Sequence, residues 1–209
     1  RPNPGIDHWR WALREDIVSC DLYPDPLDPD AEVEMAFAHD LMRSLGRGRP
    51  WLVMEQAMAA VDWRPVNVPQ EPAVVRRRNL AAVGRGADGL LFFQWRGSPG
   101  GPEMLHSAML PPGGTTTRGW TSAVALGADV RRLAEVAGSR CPPAQVCLLV
   151  DWESWWALEQ EGHPSDALRY RDLALRTYRP LRERGFAVDM RHPDDDLSGY
   201  RLVVVPNLF

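Results

Sequence analysis

Three short, largely apolar runs constrain this chain more than any other feature. Residues 16–20 (DIVSC), 51–55 (WLVME) and 89–95 (GLLFFQW) lack the every-second-residue polar beat of a half-exposed strand. The last, a continuous run, is what a strand covered on both faces of a parallel sheet carries. Helical stretches follow the first two runs. Residues 32–45 set Val33, Met35, Ala36, Phe37, Leu41, Met42 and Leu45 at near-helical spacing, and residues 73–83 form a second such stretch. Strand and helix in alternation predict right-handed βαβ units on a parallel sheet.

A loop rich in Gly, Pro and Thr (97–119) leads to a predicted helix over 122–136, and Pro142-Pro143 marks a candidate boundary. Beyond it, residues 146–150, 186–190 and 202–205 read as three further strands. The amphipathic stretch 166–184 lies between the first two, with Pro180 expected to kink or end its first part. No internal repeat or low-complexity tract is present. Three βα units cannot close a barrel, so the first region is either an incomplete (β/α)8 barrel or an open sheet. In barrels the chemistry sits just past the C-terminal ends of the strands.

Composition narrows the function classes. A formal charge of -4 with a pI near 5.7 gives no basic footprint for nucleic acid, and no stretch reaches the roughly 18 apolar residues of a membrane span. Partners are therefore expected to be small and neutral. All 24 basic residues are Arg, which reads as codon bias before function. Cys20, Cys141 and Cys147 contain no C-x-x-C pair, against both a disulfide framework and a zinc cluster, and fit a reducing, cytoplasmic compartment. The start, Arg1-Pro2-Asn3-Pro4, is neither an initiator Met nor a signal peptide, so the chain is expected to be cut from something longer. Nine Trp suit either a large core or the apolar faces of sugars, with core expected for about two in three.

The polar residues at the strand ends carry the chemistry: Asp21 and Tyr23 after the first run, Glu55 and Gln56 at the second, Gln94, Trp95 and Arg96 at the third. A shared sheet sets them on one rim. Glu55 is the sharpest case, because a carboxylate ending an apolar run faces water, a partner or a reaction centre. The plain alternative is a strand-end residue reaching solvent. Residues 97–101 (GSPGG) match neither phosphate-loop pattern; their glycines read as a tight turn into Glu103. Asp194, Asp195 and Asp196 read as a solvated turn.

At these residues the chain resembles the β-galactosidases of glycoside hydrolase family 42. The resemblance runs through SCDLYP (19–24), WLVMEQ (51–56), Trp63 in VDWRP, LLFFQWRGSPGGPEMLHSAML (90–110), DWESWWAL (151–158) and LSGYRLVVVPNLF (197–209). It implies an α/β fold in two parts: the last three βα units of a TIM barrel over 1–128, and the start of a flavodoxin-like parallel α/β domain over 129–209 that mediates trimer assembly. By the same resemblance Glu55 is the nucleophile of a retaining β-galactosidase. Glu103 and His106 would hydrogen-bond galactose hydroxyls and Trp63 would line the sugar site. Tyr23 would hydrogen-bond the nucleophile, a transfer that rests on strand position. Trp95 and Arg96 would make an ion pair or rim contact.

A retaining enzyme needs a second carboxyl ~5 to 5.5 Å from the first. The family's general acid follows an Asn, and no Asn-Glu pair occurs here. The chain alone is therefore expected to be inactive. The resemblance implies a β-galactoside substrate, a homotrimeric parent and no cofactor. A metal is not expected either, since di-iron Glu-x-x-His sites need two copies and the chain has one. The rival readings are a non-catalytic α/β interaction or ligand-binding protein and an inactive truncated product.

Overall fold

The computed structural model describes residues 5–163 and 165–209. Their elements alternate as the apolar runs require: α1 (His8–Ala12), β1 (Val18–Asp21), α2 (Ala31–Gly46), β2 (Trp51–Glu55), α3 (Pro72–Val83), β3 (Ala87–Leu90), α4 (Arg118–Arg132), β4 (Val146–Leu149), α5 (Trp152–Glu159), α6 (Tyr170–Glu183), β5 (Val188–Arg191) and β6 (Leu202–Val204). The strands form two sheets, ordered β1-β2-β3 and β5-β4-β6. In the first, spatial order follows chain order, as in a stave of a (β/α)8 barrel. In the second, β4 is central and the chain crosses to both of its sides, as in doubly wound folds. β2–β3, β4–β5 and β4–β6 all pair in parallel. The α/β class with parallel sheets, expected from the apolar runs, is the architecture observed.

The chain divides into two compact units that are not contiguous in sequence. One holds the residues up to Val18, Val33–Arg49 and Arg140–Phe209; the other holds Ser19–Glu32 and Pro50–Ser139.

In the unit built on the second sheet, β4 is buried at every position. α2 lies in this unit, and its Leu41, Met42 and Leu45 are buried. Ser44 Oγ donates to the Asp40 carbonyl at 2.7 Å and accepts the Met190 amide of β5 at 2.8 Å. A side chain thus satisfies a donor of the edge strand that would otherwise stay unpaired. Arg43 bonds the Val188 carbonyl at 2.6 Å and the Asp189 carboxylate at 3.1 Å. Phe37 packs edge-to-face on Tyr178 of α6, ring centroids 5.4 Å apart. Two helices not anticipated from the apolar pattern are opened by Asp N-caps. Asp7 accepts from the amides of Trp9 and Arg10, and Asp151 from those of Glu153 and Ser154, satisfying donors that a helix start leaves orphaned. Pro180 lies inside α6, which continues through it to Glu183.

In the other unit, Trp51 opens β2 fully buried and its indole N–H reaches the Arg85 carbonyl at 3.1 Å. Gly89 of β3 faces Leu52, where a Cβ would come within 2.6 Å of Leu52 Cδ2, so the missing side chain makes room for the neighbouring strand's leucine. The third apolar run leaves the ladder earlier than its composition predicts, β3 ending at Leu90. Single bonds from Leu91 N to Val53 O (2.9 Å) and Phe93 N to Gln56 O (3.0 Å) still guide residues 91–93 alongside β2. Residues 94–97 then exchange bonds with 109–110 instead.

The tryptophans do not divide two to one. Trp9, Trp51, Trp152 and Trp155 are buried, whereas Trp11, Trp63, Trp95 and Trp156 are 41–60% exposed. No helix among the described residues is long and apolar enough to cross a membrane.

Candidate active site

The rim at the C-terminal end of β2 collects the predicted polar residues. Glu55 is the last residue of β2, half-buried, and the Tyr23 hydroxyl, two residues past the end of β1, donates to Glu55 Oε1 in a short hydrogen bond. The backbone fixes this pairing: Leu22 N donates to Glu55 O at 2.8 Å, which sets Tyr23 one residue beyond the register point. Burial first, then the hydrogen bond to Glu55 and the negative charges of Glu55, Asp21 and Glu103, push the Tyr23 phenol far above its ordinary range. It therefore stays protonated as a donor. Asp21, ending β1, has its carboxyl raised above the ordinary carboxylate range, first by partial desolvation and then by the charge of Glu55.

Aromatic rings surround this pair. Trp63 meets Tyr23 edge-to-face with centroids 4.8 Å apart, and tilts against the His106 ring at 5.2 Å. His106 also meets Phe93 at 4.9 Å and Tyr23 at 6.0 Å, both edge-on. Trp63 is nevertheless 55% exposed while His106 is only 3% exposed: one presents an open aromatic face and the other a single buried edge.

His106 Nδ1 lies 2.9 Å from the Ser107 carbonyl, which it reaches as an N–H donor. Nε2, the other ring nitrogen, is buried with no hydrogen-bond partner. A buried polar atom in this condition costs free energy until a ligand or water meets it. The loop carrying His106 is tied down by Ser107, whose amide donates to Ala60 O at 3.0 Å and whose Oγ accepts from Ala59 N at 3.0 Å. Glu103, three residues earlier, is exposed; the His106 amide donates to its carbonyl at 3.1 Å. One turn thus separates the exposed Glu103 from the buried His106. Glu103 stands close enough to add its charge to the Tyr23 phenol.

Tyr23, Glu55, Trp63 and His106 are thus one cluster, with Glu103 at its margin. Trp95, further along the rim, is 60% exposed and sits edge-to-face with Trp120 at 6.0 Å. Arg96 makes its contact through the backbone, in a bridge to Leu110. Two neighbours were not singled out from sequence. Phe93 was hidden inside an apolar run, where nothing separates a site-lining ring from core. Arg64, next to Trp63, donates from Nη2 to the Tyr23 carbonyl at 2.6 Å; a lone Arg in a loop carries no signal of such a contact.

Among the described residues no three or more His, Cys, Asp or Glu gather as metal ligands would. The cluster offers one carboxylate at a strand end, held by a permanent donor and flanked by an exposed aromatic face and a buried unpaired imidazole nitrogen. Such a set can attack an electrophilic carbon and hold a ligand that has apolar faces and hydroxyl groups.

The glycoside hydrolase 42 family model, described as beta-galactosidase, matches residues 1–133, and a model described as the beta-galactosidase trimerisation domain matches residues 144–209. The chain is 44% identical over 205 residues to a beta-galactosidase of Arthrobacter sp, covering 98% of this chain and 29% of that protein. It is 41% identical to the beta-galactosidase BgaB of Geobacillus sp. (strain Y412MC61), again over 98% of this chain and 30% of that one. Among solved structures, the beta-galactosidase from Bacillus circulans sp. alkalophilus superposes with a TM-score of 0.91 at 35% identity, over 97% of this chain and 30% of that chain. An exo-beta-1,4-mannosidase from Opitutaceae bacterium strain TAV5, at 16% identity and a TM-score of 0.60, shares the fold alone. The chain thus spans under a third of the length of the curated relatives it matches.

Proposed function

We propose, from the premise that this chain belongs to glycoside hydrolase family 42, that it is the nucleophile-bearing part of a retaining β-galactosidase. Its substrate class is the terminal β-D-galactosides. The observation that carries the reading is the Tyr23 hydroxyl donating to Glu55 at the C-terminal end of a parallel strand. Glu55 attacks the anomeric carbon, the glycosidic bond breaks through an oxocarbenium-like transition state, and a galactosyl ester forms on the carboxylate. Tyr23 holds Glu55 aimed before attack through its hydrogen bond. Trp63 supplies an apolar face for the sugar ring, and the unpaired His106 Nε2, with Glu103, meets its hydroxyls. The leaving oxygen takes its proton from a second carboxyl group elsewhere in the protein, and that group then activates the water that hydrolyses the ester.

On this reading residues 1–128 form the last three βα units of the catalytic barrel. Residues 129–209 open a flavodoxin-like domain through which the protein assembles as a trimer, supported by the trimerisation-domain match. A cytoplasmic location follows from the three free thiols.

The test is Glu55→Gln in a full-length enzyme carrying this segment. The amide keeps size and shape but loses the nucleophilic charge, so turnover of an aryl β-galactoside is expected to vanish while circular dichroism is unchanged. Azide should restore release of the aryl group to Glu55→Ala by filling the place of the carboxylate. Wild-type-like hydrolysis by Glu55→Gln would remove the assignment.

A further inference from the structure

Tyr23 is held from two sides by consecutive residues. Trp63 packs on its ring at 4.8 Å, and Arg64 reaches past to its backbone, Nη2 donating to the Tyr23 carbonyl at 2.6 Å. The Arg64 side chain is only 15% exposed, so its guanidinium needs partners to stay there. The Asp25 carboxylate lies 3.8 Å away and is itself 42% exposed, and a pair so open to water contributes little. The carbonyl is the close partner. The Arg64 backbone is fixed in turn by its amide's bond to Asn67 Oδ1 at 3.0 Å.

The segment that Arg64 grips cannot hold itself. Tyr23 is followed by Pro24, Asp25 and Pro26, and the prolines remove two amide donors and keep the residues before them out of helical conformation. The Tyr23 carbonyl therefore has no helical turn to bond into. A charged, nearly buried donor fixes it instead, and with it the direction from which the phenol approaches Glu55.

We propose that Arg64 is a positioning residue for the nucleophile, acting through Tyr23 and touching neither substrate nor Glu55. The proposal rests on the reading of Glu55 as nucleophile and Tyr23 as its donor.

The test is made in a full-length enzyme carrying this segment, with Arg64→Met and Arg64→Lys each placed in wild-type and Tyr23→Phe backgrounds. Arg64→Met keeps the aliphatic stem and removes the donors. A misplacement of this kind is expected to cost ~10- to 10²-fold in kcat, with KM moved by less than ~3-fold because no substrate contact goes. In the Tyr23→Phe background the same substitution should cost less than ~3-fold, since coupled residues are not additive. Arg64→Lys, which retains one donor for the carbonyl, should recover most of the activity. If Arg64→Met does not accumulate folded, Arg64→Gln repeats the comparison with a neutral side chain of similar reach. Equal losses in both backgrounds, or no loss in either, would overturn the proposal and leave the nucleophile reading standing so long as Glu55→Gln is inactive. Active Glu55→Gln would overturn both.

Discussion

Replacing Tyr23 by Phe removes one oxygen and leaves the ring that Trp63 packs against at 4.8 Å, so its effect isolates the hydrogen bond to Glu55. Bonds to charged groups contribute ~1.5–3 kcal/mol. Both partners are half-buried, where water replaces part of a lost donor, which favours the low end of that range. At 1.36 kcal/mol per factor of ten in rate, the low end of that range is a loss of ~10-fold in kcat/KM. The sign follows from geometry: the phenol fixes the carboxylate that attacks, and its loss leaves that group free to turn away from the anomeric carbon. The alkaline limb should not respond. The phenol is raised well above its ordinary range by burial and by Glu55 and does not titrate there. The assay is hydrolysis of an aryl β-galactoside by a full-length enzyme carrying this segment, between about pH 4 and 9, with thermal unfolding as the control for fold. A Tyr23→Phe enzyme with kcat/KM within ~2-fold of wild type would refute the role of this bond.

His106→Ala, or Glu103→Ala, is expected to lower kcat/KM by more than ~10²-fold, because a site built to pair hydroxyls leaves ligand groups unpaired when a partner goes; unchanged kinetics in both would reduce the pair to an ordinary loop. Burial pushes the Cys20 thiol up to about 12 and the Cys147 thiol up to about 11. The thiolate is the reactive form, so iodoacetamide at pH 8 should label Cys141 well before either, and mass spectrometry of the digest shows a contrary order directly. Ser44→Ala strands the Met190 amide, which Ser44 Oγ accepts at 2.8 Å in a buried setting, and is expected to cost ~1–3 kcal/mol in denaturant unfolding. Unchanged hydrogen-exchange protection at Met190 would count against that bond.

What the sequence determined was local. β2 occupies the five residues of the WLVME run, 51–55, and α2 and α3 fall within a residue of their periodic stretches, because burial on both faces or on one stripe leaves a mark in composition that needs no knowledge of the partner. Glu55 was legible for the same reason, as the one carboxylate closing such a run. Tyr23, Trp63 and His106 were named through family resemblance and not through any period of their own. Tertiary structure decided their meeting: a ring cluster drawn from three loops, tied by a backbone bond between residues 22 and 55 and by Ser107 onto Ala59 and Ala60. It decided, too, that GLLFFQW leaves its ladder after Leu90, since residues 94–97 find partners at 109–110 that no local pattern announces. Which tryptophans are covered depends on what packs above them, and aromatic content alone cannot say. α2 stands between β1 and β2 in chain order, yet its Arg43 and Ser44 meet β5, some 146 residues away. An amphipathic helix declares that it needs a partner, and only the folded chain supplies which one.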